Sequence, residues 1–199
     1  VIMLGALGWM HRGFRAPKVK ELQTPIHWAP NFQTVWIPTV DEKHLYAWFL
    51  PHPQANQTIV VVHGWGANME MMLPFAQVFY QVGLNVLLFD ARNHGQSELD
   101  GHSSMPKFAQ DTQSALDWLY QHHPHSAERV GLLGHSVGAS AAILTASRRH
   151  DMDALISISA FAHPEWLMTR FLQSKYIPLP LVRLINRYIE WVIAHRFSD

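Results

Sequence analysis

Apolar residues along the chain fall into runs of two kinds. Four short runs are almost continuously apolar: "QTIVVVHG", "LNVLLFDAR", "RVGLLGHS" and "DALISISAF". Runs of this length and composition predict parallel strands covered on both faces. Between them the apolar positions recur at helical spacing. In "MEMMLPFAQVFYQVG" the pattern predicts a helix capped by Asn68, carrying Phe75, Phe79 and Val82 on one side and stopped at Gly83. Pro74 falls near its first turns, where proline does least harm. "PKFAQDTQSALDWLYQHH" repeats the theme with Phe108, Thr112, Ala115 or Leu116, and Leu119, and "VGASAAILTASRR" supplies a third helix. Ahead of these, "FQTVWIPTV" and "KHLYAWFLP", separated by "DE", predict an antiparallel hairpin. Strand alternating with helix implies an α/β fold, a doubly wound and mostly parallel sheet with right-handed crossovers.

Composition narrows the picture without redirecting it. At 199 residues with 48% hydrophobic content, the chain can bury one sizeable core. Fifteen basic residues balance fifteen acidic ones, so no net field recommends a nucleic acid as partner. The absence of cysteine removes disulfides, thiolate metal sites and a cysteine nucleophile together. The charged fraction of 15% is low, as it is for proteins that work beside a membrane or a partner. The chain opens on the apolar "VIMLGALGWM" followed by the basic "HRGFRAPKVK". Ten apolar residues are too few to span a bilayer. Two readings stand: the end of a truncated membrane anchor or signal segment, or a helix docked on the core. The expected organisation is therefore an N-terminal segment over residues 1–30, a core over 31–162 and a further segment over 163–199, in the cytoplasm or at the inner membrane.

Candidate chemistry is concentrated at strand ends. In "RVGLLGHSVGAS" a strand ends at Gly134 and His135 and turns sharply into a helix at Val137, which leaves Ser136 at the apex. Gly134 and Gly138 keep side chains out of that crowded turn, and Ala139 and Ser140 are small. The hydroxyl is expected at a helix N-terminus, where free N–H groups favour an anionic tetrahedral intermediate. "VVVHGWGAN" ends an earlier strand. After His63 and Gly64, the backbone N–H of Trp65 is placed to pair with that of Val137 as an oxyanion cradle. In "LLFDARNHGQSELDG", Asn93 is expected in a left-handed turn, Asp90 and Arg92 as a loop-bracing ion pair, and His94 as a loop hydrogen bonder.

With "HGWGAN", "FDARNHGQS" and "GLLGHSVG" in this order, the chain from about residue 32 to its end resembles the α/β-hydrolase superfamily. Within it, the chain is similar to bacterial serine aminopeptidase-like and prolyl-oligopeptidase-like hydrolases, although Ala139 stands where a second glycine is common. The resemblance implies acyl-transfer hydrolysis of an ester, thioester or amide. Ser136 is the implied nucleophile, and the Trp65 and Val137 N–H groups the oxyanion hole. The implied substrate is a small-molecule or peptide acyl compound, and no cofactor is implied. The alternatives that remain open are a binding module without catalysis and an acyltransferase using the same nucleophile.

The superfamily places its acid and its histidine later in the chain than the serine. After "DALISISAF" this sequence continues only with "HPEWLMTRFLQSKYIPLPLVRLINRYIEWVIAHRFSD". That segment predicts two amphipathic helices broken at "PLP", with Leu181, Ile185, Tyr188, Ile189 and Val192 sharing a face of the second. It resembles the beginning of a lid. The expectation is a fragment of a longer protein, its acid and histidine outside this chain, with little turnover on its own. Glu165, His163 and His195 are read as lid or loop residues. His122, His123 and His125 are read as a surface cluster, since no metal-binding spacing supports a metal site.

Overall fold

The computed structural model describes residues 16–161, 164–174 and 176–196. It divides into two compact units, Val1–Ala160 and Phe161–Asp199. In the first, six strands form one sheet: β1 (Gln33–Thr39), β2 (Lys43–Leu50), β3 (Gln57–Val62), β4 (Asn85–Phe89), β5 (Arg129–His135) and β6 (Ala154–Ile158). Their order is β1-β2-β4-β3-β5-β6. The hairpin pairs β1 with β2 antiparallel, Gln33 opposite Phe49 and Thr39 opposite Lys43, and β2 also runs antiparallel to β4. From β4 through β3 and β5 to β6 every pairing is parallel. The strand order folds back at β3, the place where an open α/β sheet leaves a crevice at its carboxyl edge.

Three helices cross between the parallel strands: α1 (Leu73–Gln81), α2 (Met105–His122) and α3 (Val137–Arg148). The expected face of α2 is the buried one, with Phe108, Thr112, Ala115, Leu116 and Leu119 all excluded from solvent. Its start is fixed by Ser104, whose hydroxyl accepts the Lys107 N–H at 3.3 Å. For α1 the expected face holds only at Phe79, which packs against the core. Asn68 does cap the segment, but over a short 3-10 turn (Met69–Met72), accepting the Met71 N–H. The buried side chains are Met69, Met72 and Ala76, while Phe75 and Val82 are exposed. Nothing in "LPFAQVFYQ" is charged, so no polar stripe marks the outer face. Gly83 ends the helix as expected, at φ +91°.

β3, β4 and most of β5 are buried as their sequences predict, and β6, last in the strand order of the chain as given, leaves Leu155 and Ile156 exposed. The second unit contains α4 (Pro164–Ser174) and α5 (Leu179–Arg196), broken where "PLP" predicts. The Asn186 amide joins them by donating to the Thr169 hydroxyl at 2.7 Å. Among the described side chains of α5, Val182 and Asn186 are buried, and Leu181, expected on the apolar face, is exposed. Among the described residues no helix is long and apolar enough to cross a membrane. The run "VIMLGALGWM" and His163 lie outside the described residues.

Candidate active site

The carboxyl ends of β3, β4 and β5 bring three loops together. At the end of β5, Ser136 adopts φ 55°, ψ −119°, a combination an L-residue holds only under constraint. The constraint is visible on both sides. The Ser136 N–H donates to the Ile158 carbonyl of β6 at 2.9 Å, and its own carbonyl accepts the N–H groups of Ala139 and Ser140 at 3.0 and 3.1 Å. Ser136 is thus the residue immediately preceding α3, half-buried, with the first N–H groups of the helix ahead of it. The turn closes only with glycine at its flanks. A side chain on Gly134 would run into the Gly138 backbone, and one on Gly138 into the carbonyls of Val62 and His63.

Gly64 brings the loop after β3 against this turn: a Cβ built there would lie 3.2 Å from the Ser136 Cβ and 3.2 Å from His135 Nδ1. Trp65 follows with its side chain exposed, and Val137 is buried as the first residue of α3. As that first residue, Val137 has an N–H outside the helix's own hydrogen-bond ladder. The residues expected to work together, His63, Gly64, Trp65, Gly134, His135, Ser136, Val137 and Gly138, therefore come from two loops in contact.

His63 is fully buried. Its Nε2 accepts the Ala91 N–H at 3.0 Å, so the proton resides on Nδ1, which donates to the Gly64 carbonyl at 2.7 Å. Burial, then the neighbouring His94, pushes its pKa down to about 3. His94 is built alike: Nε2 accepts the Gly66 N–H at 3.2 Å and Nδ1–H donates to the Arg92 carbonyl at 3.0 Å. Burial lowers its pKa too. Both rings are neutral at pH 7 and neither is a general base for Ser136, since both nitrogens of each are spent on the backbone.

The expected ion pair between Asp90 and Arg92 is replaced by two separate braces. Asp90 accepts the N–H groups of Met69 at 2.8 Å and Gln96 at 2.9 Å. The buried Arg92 guanidinium instead pairs with Asp111 at 2.6 Å and Asp100 at 2.9 Å, and donates to Gln110 at 2.8 Å. Asn93 takes the expected left-handed turn at φ 69°, and its side chain bonds to the backbone of Asp100 and His102. The signal for Asp111 was present in the sequence, a carboxylate on the apolar face of α2 beside Phe108 and Thr112. His122 and His125 are exposed, as expected of a surface cluster, with His122 stacked on Trp118 and the half-buried His123 over Phe49. Glu165 is exposed on α4, and His195 falls on α5. Among the described residues no group of His, Asp or Glu is arranged to hold a metal ion.

The family model described as "Serine aminopeptidase, S33" matches residues 53–196. The protein bem46 of Schizosaccharomyces pombe is 27% identical over 174 residues, covering 80% of this chain and 58% of the relative. The polyketide transferase af380 of Aspergillus fumigatus is 30% identical over 136 residues, 67% of this chain and 47% of the relative. The chain thus spans about half the length of the curated relatives it matches. Among solved structures, the Pyrococcus furiosus esterase Pf2001 superposes with a TM-score of 0.73 at 26% identity, over 88% of this chain and 67% of that one.

Proposed function

The chain belongs to the serine aminopeptidase S33 family of α/β hydrolases, and from that premise we propose that Ser136 is the nucleophile of an acyl-transfer hydrolase. The observation that carries this is the Ser136 backbone at φ 55°, held at the N-terminus of α3 with Gly64 against it. A strained turn of this kind exposes a hydroxyl to attack a carbonyl carbon while nearby amides face the developing oxyanion. The hydroxyl adds to the carbonyl of an ester, thioester or amide as a histidine removes its proton. The tetrahedral intermediate expels the alcohol, thiol or amine, and water then releases the acyl group. The N–H groups of Trp65 and Val137 are assigned to the oxyanion, each contributing about 3 kcal/mol by the usual cost of losing such a donor. The similarity to a solved esterase favours an ester substrate. Transfer of the acyl group to an acceptor other than water is the second reading, and it rests on the similarity to a protein named as a transferase.

The test is a fluorophosphonate probe applied to the full-length protein, with the adduct located by mass spectrometry. An adduct on Ser136 that disappears in Ser136→Ala is the expected result. No adduct in the folded wild-type protein would leave a hydrolase fold used for binding alone.

A further inference from the structure

In the loop after β3, buried imidazoles hold two successive peptide groups. The Gly64–Trp65 group is fixed through its oxygen. The Gly64 carbonyl accepts Nδ1–H of His63 at 2.7 Å and the Ala67 N–H at 3.3 Å. This peptide is trans, so its N–H points opposite to its carbonyl, and holding the Gly64 oxygen aims the Trp65 N–H. The Trp65–Gly66 group is fixed through its nitrogen, by the Gly66 N–H donating to His94 Nε2 at 3.2 Å. Gly66 itself stands at φ +68°, where glycine is at ease, so the local chain alone would not keep one orientation.

The two rings are themselves anchored. His63 receives the Ala91 N–H and His94 donates to the Arg92 carbonyl, both in the loop after β4. Their centroids are 5.0 Å apart, and each lies edge-on to Phe108 of α2, at 5.4 and 5.1 Å. Trp65 closes the other side of His94 at 6.0 Å.

We propose that His94 is a positioning residue for the oxyanion donor: with His63 it clamps the peptide planes on either side of Trp65, so that the Trp65 N–H keeps a single direction. This rests on the reading of Ser136 and Trp65 above. The clamp touches no substrate, and its effect is confined to the transition state, because the N–H it aims meets full negative charge only there. Losing it therefore lowers kcat and leaves KM nearly unchanged. It also needs one chemical property of position 94, an acceptor facing the Gly66 N–H, which glutamine supplies at nearly the same reach and phenylalanine does not.

The experiment uses the full-length protein with p-nitrophenyl butyrate as the probe ester. Ser136→Ala is expected to abolish turnover. His94→Phe is expected to lower kcat about 10- to 100-fold with KM within about twofold, short of the roughly 100- to 1,000-fold cost of deleting a donor outright. His94→Gln is expected to restore kcat to within about threefold of wild type, a margin well inside that range. Turnover that survives Ser136→Ala overturns the Ser136 reading and this inference with it. Ser136-dependent turnover with an unchanged kcat in folded His94→Phe, or a His94→Gln variant as slow as His94→Phe, overturns the clamp alone. Should His94→Phe not fold, the wild-type protein decides: a nitrogen–nitrogen coupling across the bond from Gly66 N–H to His94 Nε2 supports the clamp, and its absence overturns it.

Discussion

A histidine buried with both nitrogens bonded to backbone is a different acid from one in water. His63 takes its proton near pH 3, because burial and then His94 oppose a charge there, whereas the same residue in an unfolded chain takes it near 6.5. The contribution of His63 to stability is therefore complete above about 6.5 and is lost as the pH falls from there toward 3, at about 1.4 kcal/mol per pH unit. Asp111 works in the other direction. Burial pushes its carboxyl up to about 6 against the pull of Arg92, so the fold gains on acidification between about 6 and the ordinary 3.8. The two trends overlap and offset in the global free energy, which makes the ring the better observable. In a nitrogen-15 spectrum of the imidazoles, His63 is expected to remain in the neutral Nδ1–H form at pH 5, where an ordinary imidazole is mostly charged. A His63 half-protonated near pH 6.5 would contradict the hydrogen bonds described for it.

Among the elements, the turn from β5 into α3 leaves least room for change. Val62, whose carbonyl abuts Gly138, is paired in the sheet with Phe89 on one side and Gly134 on the other, so it has nowhere to retreat. Gly138→Ala is expected to cost about 2–4 kcal/mol, despite alanine's better helix propensity, and a urea midpoint unchanged from wild type would refute the packing. This turn was legible in the sequence, because a strand, a glycine-flanked serine and a run of small residues leave few other geometries. The burial of α2 was legible for a related reason, its apolar positions being set off by polar ones at regular spacing. The face of α1 was not. With no charge from Leu73 to Gln81, periodicity offers two equivalent stripes, and contact with the sheet chose the one bearing Ala76.

For the molecule as a whole, Arg92 joins parts of the chain that are distant in sequence. It binds Asp111 on α2 and Asp100 beyond β4, while Asp111 also accepts from Thr39 at the end of β1. Arg92→Met leaves Asp111 buried without its cation and is expected to cost about 3–5 kcal/mol. Adding Asp111→Asn should recover part of that loss, and strictly additive effects in urea denaturation would refute the pairing. Sequence alone placed Arg92 in a bracing role but assigned it the wrong partner, because Asp90 is near in sequence and Asp111 becomes near only once α2 has packed. The same reasoning bears on chemical labelling of a protein with 14 histidines. Diethyl pyrocarbonate acylates an imidazole through a free, unprotonated nitrogen. His63 and His94 have none to offer, their lone pairs being taken by the amides of Ala91 and Gly66, so these two rings should pass through such treatment unmodified. Inactivation that hydroxylamine reverses would then report an imidazole other than these two.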